Sequence, residues 1–127
     1  LAAGLIILMA GTMKMFGYPP MPAGTPPMHF SPATEYGIAA MLEVGGGTLF
    51  LLGLFTRPVA FILAGEMAVA YFQFHFPMGF FPQTNNGVPA VLYCFLYLYF
   101  AVVGPGPWSV DAAIARGRLV RQGLAHQ

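Results

Sequence analysis

The sequence predicts an all-α integral membrane protein, an up-down-up-down four-helix bundle followed by a short amphipathic C-terminal helix. Three observations predict it. Of 127 residues, 57% are hydrophobic and only 7% are charged, whereas average soluble chains carry about a quarter charged residues. A soluble chain of this length would need far more polar surface to cover its core. Four apolar stretches approach the about 20 residues that cross about 30 Å of hydrocarbon, and helix-breaking residues separate them. We detect no internal repeat, so residues 1–127 are expected to form a single transmembrane domain.

The first span is expected at residues 1–17 (LAAGLIILMAGTMKMFG), already apolar at Leu1, so a short amino-terminal piece is expected to precede it. No signal peptide with a cleavage site is visible. Residues 17–34 contain six prolines, which forbid a continuous helix. The second span is expected at 35–55 and the third at 58–77. Between them, Thr56-Arg57-Pro58 reads as a tight reversal in which Thr56 caps the new helix and proline occupies its first turn. The fourth span is expected at 86–104, capped by Asn85 or Asn86 and stopped by Gly104-Pro105-Gly106-Pro107.

Orientation follows from the basic residues. With four spans, the termini and the 2–3 turn share one side, which holds Arg57, Arg116, Arg118 and Arg121. The loops on the other side, 17–34 and 78–85, hold no Lys or Arg. Both termini are therefore expected in the cytoplasm, with the short connections giving an up-down-up-down bundle. In residues 108–127, Ser109 is a good N-cap, and Val110, Ile114, Val120 and Leu124 can share an apolar side with arginines elsewhere. Such a helix would lie on the inner leaflet against anionic lipid; the other reading is a frayed basic tail.

The net charge of +1 gives no reason to expect an acidic partner or nucleic acid. The single Cys94 excludes an internal disulfide and a CxxC pair, and its apolar run predicts a packed thiol.

The ionisable residues inside the spans are the informative ones. Glu43 lies in AAMLEVGGGTLFLLGLF, with Ala39, Ala40, Gly46 and Gly47 at helical spacing. Small residues let helices approach in a membrane, so Glu43 is placed on a packed face, where a costly intramembrane charge belongs. Lys14 has Ala10 and Gly11 one turn before it. Glu66 has Ala70 and Gln73 on its side, and Tyr93 and Tyr97 form an i, i+4 pair beside Ala90. Each helix thus brings a polar group to an inward face. At about 1.5 Å rise per residue, Glu43 lies about 12 Å, Glu66 about 16 Å and Tyr93 about 10 Å from the outer ends. Lys14 starts only about 5 Å deep, but its side chain reaches further. A Lys14–Glu43 pair is expected, with Glu66 bonding to Tyr97 or Gln73 and one of the two acids protonated. Two roles fit such a core: a polar clasp fixing helix packing, or a proton-handling or ligand site.

His75 follows Glu66 by nine residues, about half a turn out of phase on a regular helix. It is expected at the outer mouth, either solvated or as a proton or ligand contact. Met21, Met28 and His29 are soft or borderline ligand types, but without compact spacing, and no metal site is expected. Gly104-x-Gly106 lacks the βαβ context of a nucleotide fingerprint.

Taken together, "GTMKMFG", "MLEVGGGTLFLLGLFTRP", "MAVAYFQFHFP" and "GPGPWSVDA" resemble, in order, the DoxX family of small bacterial membrane proteins. Lys14, Glu43, His75, Gly104, Gly106, Ser109 and Asp111 match positions that the family pattern marks; Glu66 comes from the helix-face reading alone. The resemblance implies a four-span protein of the bacterial inner membrane. The family's namesake is similar to a membrane subunit of a thiosulfate:quinone oxidoreductase, and other relatives are thought to act beside redox-stress enzymes.

Two functional classes follow. The first is a redox-associated subunit with a quinone or similar small molecule near Lys14, Glu43 and the tyrosines, since quinone reduction takes up protons. The sequence carries no haem ligand set, iron–sulfur motif or CxxC, so no intrinsic cofactor is expected and a partner would carry the electrons. The second is a structural or assembly subunit of a larger complex, its aromatic surfaces docking other membrane proteins. The expected partners are membrane lipid and other membrane or redox subunits, with a second copy of the chain as a further option. A small transporter is disfavoured because four spans without a repeat leave little room for alternating access.

Overall fold

The computed structural model describes residues 1–21, 23–24 and 29–125, with backbone alone at 124–125. Met28 and the side chain of Leu124 lie outside what is described. The described chain is all-helical: α1 (Ala2–Phe16), α2 (Glu35–Leu52), α3 (Thr56–Ala70), α4 (Val88–Val103) and α5 (Val110–Ala125). α3 continues without a break through a π-helical turn, Tyr71–His75, and a 3-10 turn, Phe76–Met78.

The helix limits have local causes. α1 ends where Gly17 turns left-handed at φ 67°, a conformation that costs glycine little. Thr34 begins α2, its hydroxyl accepting the Gly37 N–H at 3.1 Å. Gly53, also at φ 67°, ends α2 three residues before the expected limit of its span. The reversal is therefore made by residues 53–55, and α3 starts at Thr56 rather than 58. Thr56 does not cap it. Its hydroxyl donates to Asp111 at 2.9 Å, and the Asp111 carboxylate accepts the Phe55 N–H at 2.9 Å and the Thr56 N–H at 2.8 Å. The cap of α3 is thus supplied by α5. Asn85 and Asn86 do not cap α4 either: the helix begins at Val88 with Gly87 as its flanking residue and no capping side chain. Asn85 is buried and braces the preceding loop, donating to the Gly79 carbonyl at 2.6 Å and accepting the Gly87 N–H at 2.8 Å.

α1 packs along α2, α3 along α4, and α2 meets α3 more narrowly. Small residues set the first contact. A Cβ on Gly11 would lie 2.7 Å from the Val44 nitrogen, so the α1 and α2 backbones are close enough to exclude one. The core runs through Ile7, Phe50, Ala60, Leu63, Met67 and Tyr97. The Phe50 ring meets Tyr97 and Phe100 edge to face, both at 5.2 Å between centroids. The Tyr97 hydroxyl donates to the Ala3 carbonyl at 3.0 Å, joining α4 to α1.

The outside of this packing is as apolar as its inside. Phe61, Phe95 and Val102 are 66%, 68% and 76% exposed. A water-facing surface does not sustain so much large apolar area; lipid does. The α2 helix and the rod Thr56–Met78, of 18 and 23 residues, are long and apolar enough to cross a membrane, while α1 and α4 are shorter apolar helices. The protein is a helical membrane protein.

The C-terminal segment is a helix rather than a frayed tail. Ser109 caps it, accepting the Ala112 N–H at 3.1 Å, and the Asp111 N–H donates to the Gly53 carbonyl at 3.0 Å. Its sides are less cleanly divided than expected. At about 100° per residue, Arg121 falls between Val110 and Ile114, and the exposed Leu119 falls opposite them.

Candidate functional site

The last turn of α1 carries Lys14, where a cation suits the negative end of the helix dipole. Its ammonium lies 2.6 Å from Glu43 Oε1, with the two side chains 27% and 3% exposed. The close approach of α1 and α2 at Gly11, one turn earlier, makes this reach possible. The ammonium also sits 5.9 Å from the centre of the Tyr36 ring.

Glu43 and Glu66 are neighbours where α2 meets α3. Glu43 Oε2, both Glu66 carboxyl oxygens and the Tyr36 hydroxyl are buried with no partner among the described residues. The expected bonds from Glu66 to Tyr97 or Gln73 are therefore not made. Tyr97 points the other way, to the Ala3 carbonyl, and Gln73 is exposed. Tyr93 stacks on Tyr97 at 5.9 Å between centroids. This tyrosine pair is part of the packing between helices, and neither ring lines the cavity described next.

That cavity has a volume of about 580 Å³, and Lys14, Glu35, Tyr36, Glu66, Gln73 and His75 line it. Ile38, Leu42, Val69 and Phe74 make its apolar wall. Its volume is that of a small-molecule site, and so is its plan of few polar groups on an apolar lining. Glu43 stands behind Lys14 rather than on the wall.

His75 is nearer this site than a regular helix would put it. The π-helical turn Tyr71–His75 winds more residues into each turn, so the ring stops short of the face opposite Glu66. Its Nδ1 lies 3.0 Å from the Asn85 carbonyl oxygen. A carbonyl only accepts, so Nδ1 carries the hydrogen and neutral His75 keeps a lone pair on Nε2. Tyr36 escaped the reading of helix faces although it precedes Glu43 by seven residues, two turns along the same face. The loop contact from Asn85 that holds His75 had no local signal.

A second cavity of about 340 Å³ lies at the opposite end of the helices, lined by Phe50, Gly53, Phe100, Gly104, Trp108 and Ser109 among others. Met21 and His29 lie in the loop between α1 and α2. Cys94 is a partly buried free thiol packed against the core.

Comparison with known proteins places this geometry in a family. An uncharacterized protein of Haemophilus influenzae is 47% identical over 77 residues, a match covering 58% of this chain and 58% of the relative. The chain thus spans less than two thirds of that relative's length. No solved structure matches. The DoxX family model matches residues 1–76, which hold Lys14, Glu43, Glu66 and His75. With more than half its length matched, this chain belongs to the DoxX family.

Proposed function

We propose that this chain is an integral membrane subunit of a redox system and that the cavity beside Lys14 and Glu66 holds a quinone-like small molecule. The observation that carries the reading is the cavity itself: an apolar pocket of ligand size on which Lys14, Glu66 and His75 converge. Quinone chemistry exchanges protons as well as electrons. Lys14 offers one positive charge against the two buried carboxyls of Glu43 and Glu66, so the buried part of the site can hold one proton beyond the ion pair, while Glu35 adds an exposed carboxylate to the lining. A partner subunit supplies the electrons.

In this reading four helices cross the bacterial inner membrane in alternating directions, with both termini in the cytoplasm. The arginines of the α2–α3 turn and of α5 support that orientation. The cavity then opens in the outer half of the bilayer, among exposed apolar side chains that give lipid-soluble molecules access.

Gentle purification from the native membrane, followed by mass spectrometry of proteins and small molecules, tests the proposal. Co-purified quinone that is lost in Glu66→Gln, with the protein still folded, is the expected result. Native-membrane protein that carries no quinone and remains in a stoichiometric complex would overturn it. That outcome would favour a second reading, an assembly subunit, for which the Lys14–Glu43 pair at the closely packed α1–α2 contact is the supporting observation.

A further inference from the structure

The end of the molecule that carries α5 has a charge pattern that the function proposed above does not use. Arg57, Arg116, Arg118 and Arg121 stand there with one acid, Asp111. The Asp111 carboxylate is occupied by the Phe55 and Thr56 N–H groups and the Thr56 hydroxyl. The one ion pair among the described residues is Lys14–Glu43, so none of these guanidiniums is matched by a carboxylate there. Two of the four are held against a single loop. Arg57 lies over Gly104, where a Cβ would come 2.8 Å from its Nε. Arg116 Nη1 donates to the Pro107 carbonyl at 3.0 Å. Loop 104–107 thus carries a guanidinium at each end, while Arg118 and Arg121 stand further along α5.

The surroundings of this loop are apolar. Trp108 is 97% exposed, and Leu52 and Val103 are exposed beside it in the chain's inner-end turns. Phe50, Leu52 and Phe100 wall the cavity of about 340 Å³ that residues 104–109 border. Guanidinium groups bind phosphate through paired hydrogen bonds. An indole settles at the level of lipid headgroups, its ring against acyl chains and its N–H toward the polar layer. Unmatched cations beside an apolar wall and an open indole therefore suit an anion that carries its own apolar tail. A soluble phosphate would leave that wall and Trp108 in water. We propose that this end binds one anionic phospholipid, its headgroup on Arg57 and Arg116 and an acyl chain along Phe50, Leu52 and Phe100.

The full chain in nanodiscs of equal phosphatidylglycerol and phosphatidylcholine is released gently and weighed with its bound lipid by native mass spectrometry. The parent is expected to keep one phosphatidylglycerol in preference to phosphatidylcholine. That preference should fall about fivefold in Arg57→Gln and in Arg116→Gln, the order of one cation at a lipid surface. Both side chains are exposed, so the fold does not rest on them. Arg118→Gln and Arg121→Gln, off the loop, are expected to keep the preference. Trp108 is the single tryptophan, and its emission should be quenched more by brominated phosphatidylglycerol than by brominated phosphatidylcholine. Equal retention of the two lipids would overturn the site. Equal losses in all four variants would overturn it as well, showing diffuse attraction to a basic surface. Displacement of the lipid by inorganic phosphate would overturn it in favour of a soluble anion.

Discussion

Asp111 caps a helix that begins 55 residues before it, its carboxylate accepting the backbone N–H and the hydroxyl of Thr56. The same residue donates its own N–H to Gly53. Gly53 itself comes close to Ser109, since a Cβ there would lie 2.4 Å from the serine Cβ. The α2–α3 turn and the start of α5 are thus one joint. It unites two stretches, LFTRP and GPGPWSVDA, that are far apart in the chain.

Burial alone would raise the pKa of Asp111, but hydrogen bonds from Thr56 and Phe55 outweigh it and hold the carboxyl below its ordinary value. A folded value below the unfolded one adds stability that is complete above the ordinary aspartate range. It is lost as pH falls through the folded value. Asp111→Asn is expected to lower stability at neutral pH by about 1 kcal/mol, the scale of a lost cap at a helix dipole. The gap to the parent should close in strong acid. Thermal unfolding of both proteins across pH checks this, and a gap independent of pH would refute it.

Lys14 and Glu43 should be strongly coupled. Removing one partner of a buried pair leaves a charge without compensation, at a cost of about 3–5 kcal/mol. Lys14 is partly exposed, so the lower end of that range is expected for Glu43→Gln and for Lys14→Met. The double variant should lose clearly less than the sum. A double-mutant cycle in detergent measures the coupling, and additive losses would show that the contact contributes nothing.

Glu66 should behave in the opposite way. Its oxygens have no partner to lose among the described residues, so Glu66→Leu is expected to leave thermal stability unchanged or to raise it slightly. Quinone retention should fall in the same variant. A loss of stability comparable to that of Glu43→Gln would place Glu66 in the clasp instead.

The α1–α2 contact makes a prediction about two glycines of similar sequence setting. A Cβ on Gly11 meets backbone at 2.7 Å, whereas one on Gly45 meets nothing within 4 Å. Gly11→Ala should destabilise by about 1–3 kcal/mol through overpacking, and Gly45→Ala should be neutral or mildly stabilising through its higher helix propensity. Equal effects in thermal unfolding would contradict the close approach.

Much of this was legible in the chain because its causes are local. Apolar runs and proline clusters mark where helices run, and the limits of α1, α2, α4 and the rod Thr56–Met78 fell within three residues of those expected. The Lys14–Glu43 pair was legible because small residues at helical spacing reveal a packed face. Tyr97 was not, since its partner is a backbone carbonyl on α1, and carbonyls leave no trace in composition. The Asp111 cap was hidden by distance along the chain: Thr56 looked like a sufficient cap by itself. The winding of residues 71–75 was hidden because a π turn uses the same residue types as an α turn.

That turn carries a consequence for how this fold can vary. A π-helical turn accommodates an extra residue without ending the helix. Deleting one residue between Tyr71 and His75 would restore ordinary winding and swing the imidazole, together with the loop that Asn85 braces, around the helix axis. The segment works as a vernier: the length of the rod and the bearing of its last side chains are adjusted there, while Glu66 and everything before it stay fixed.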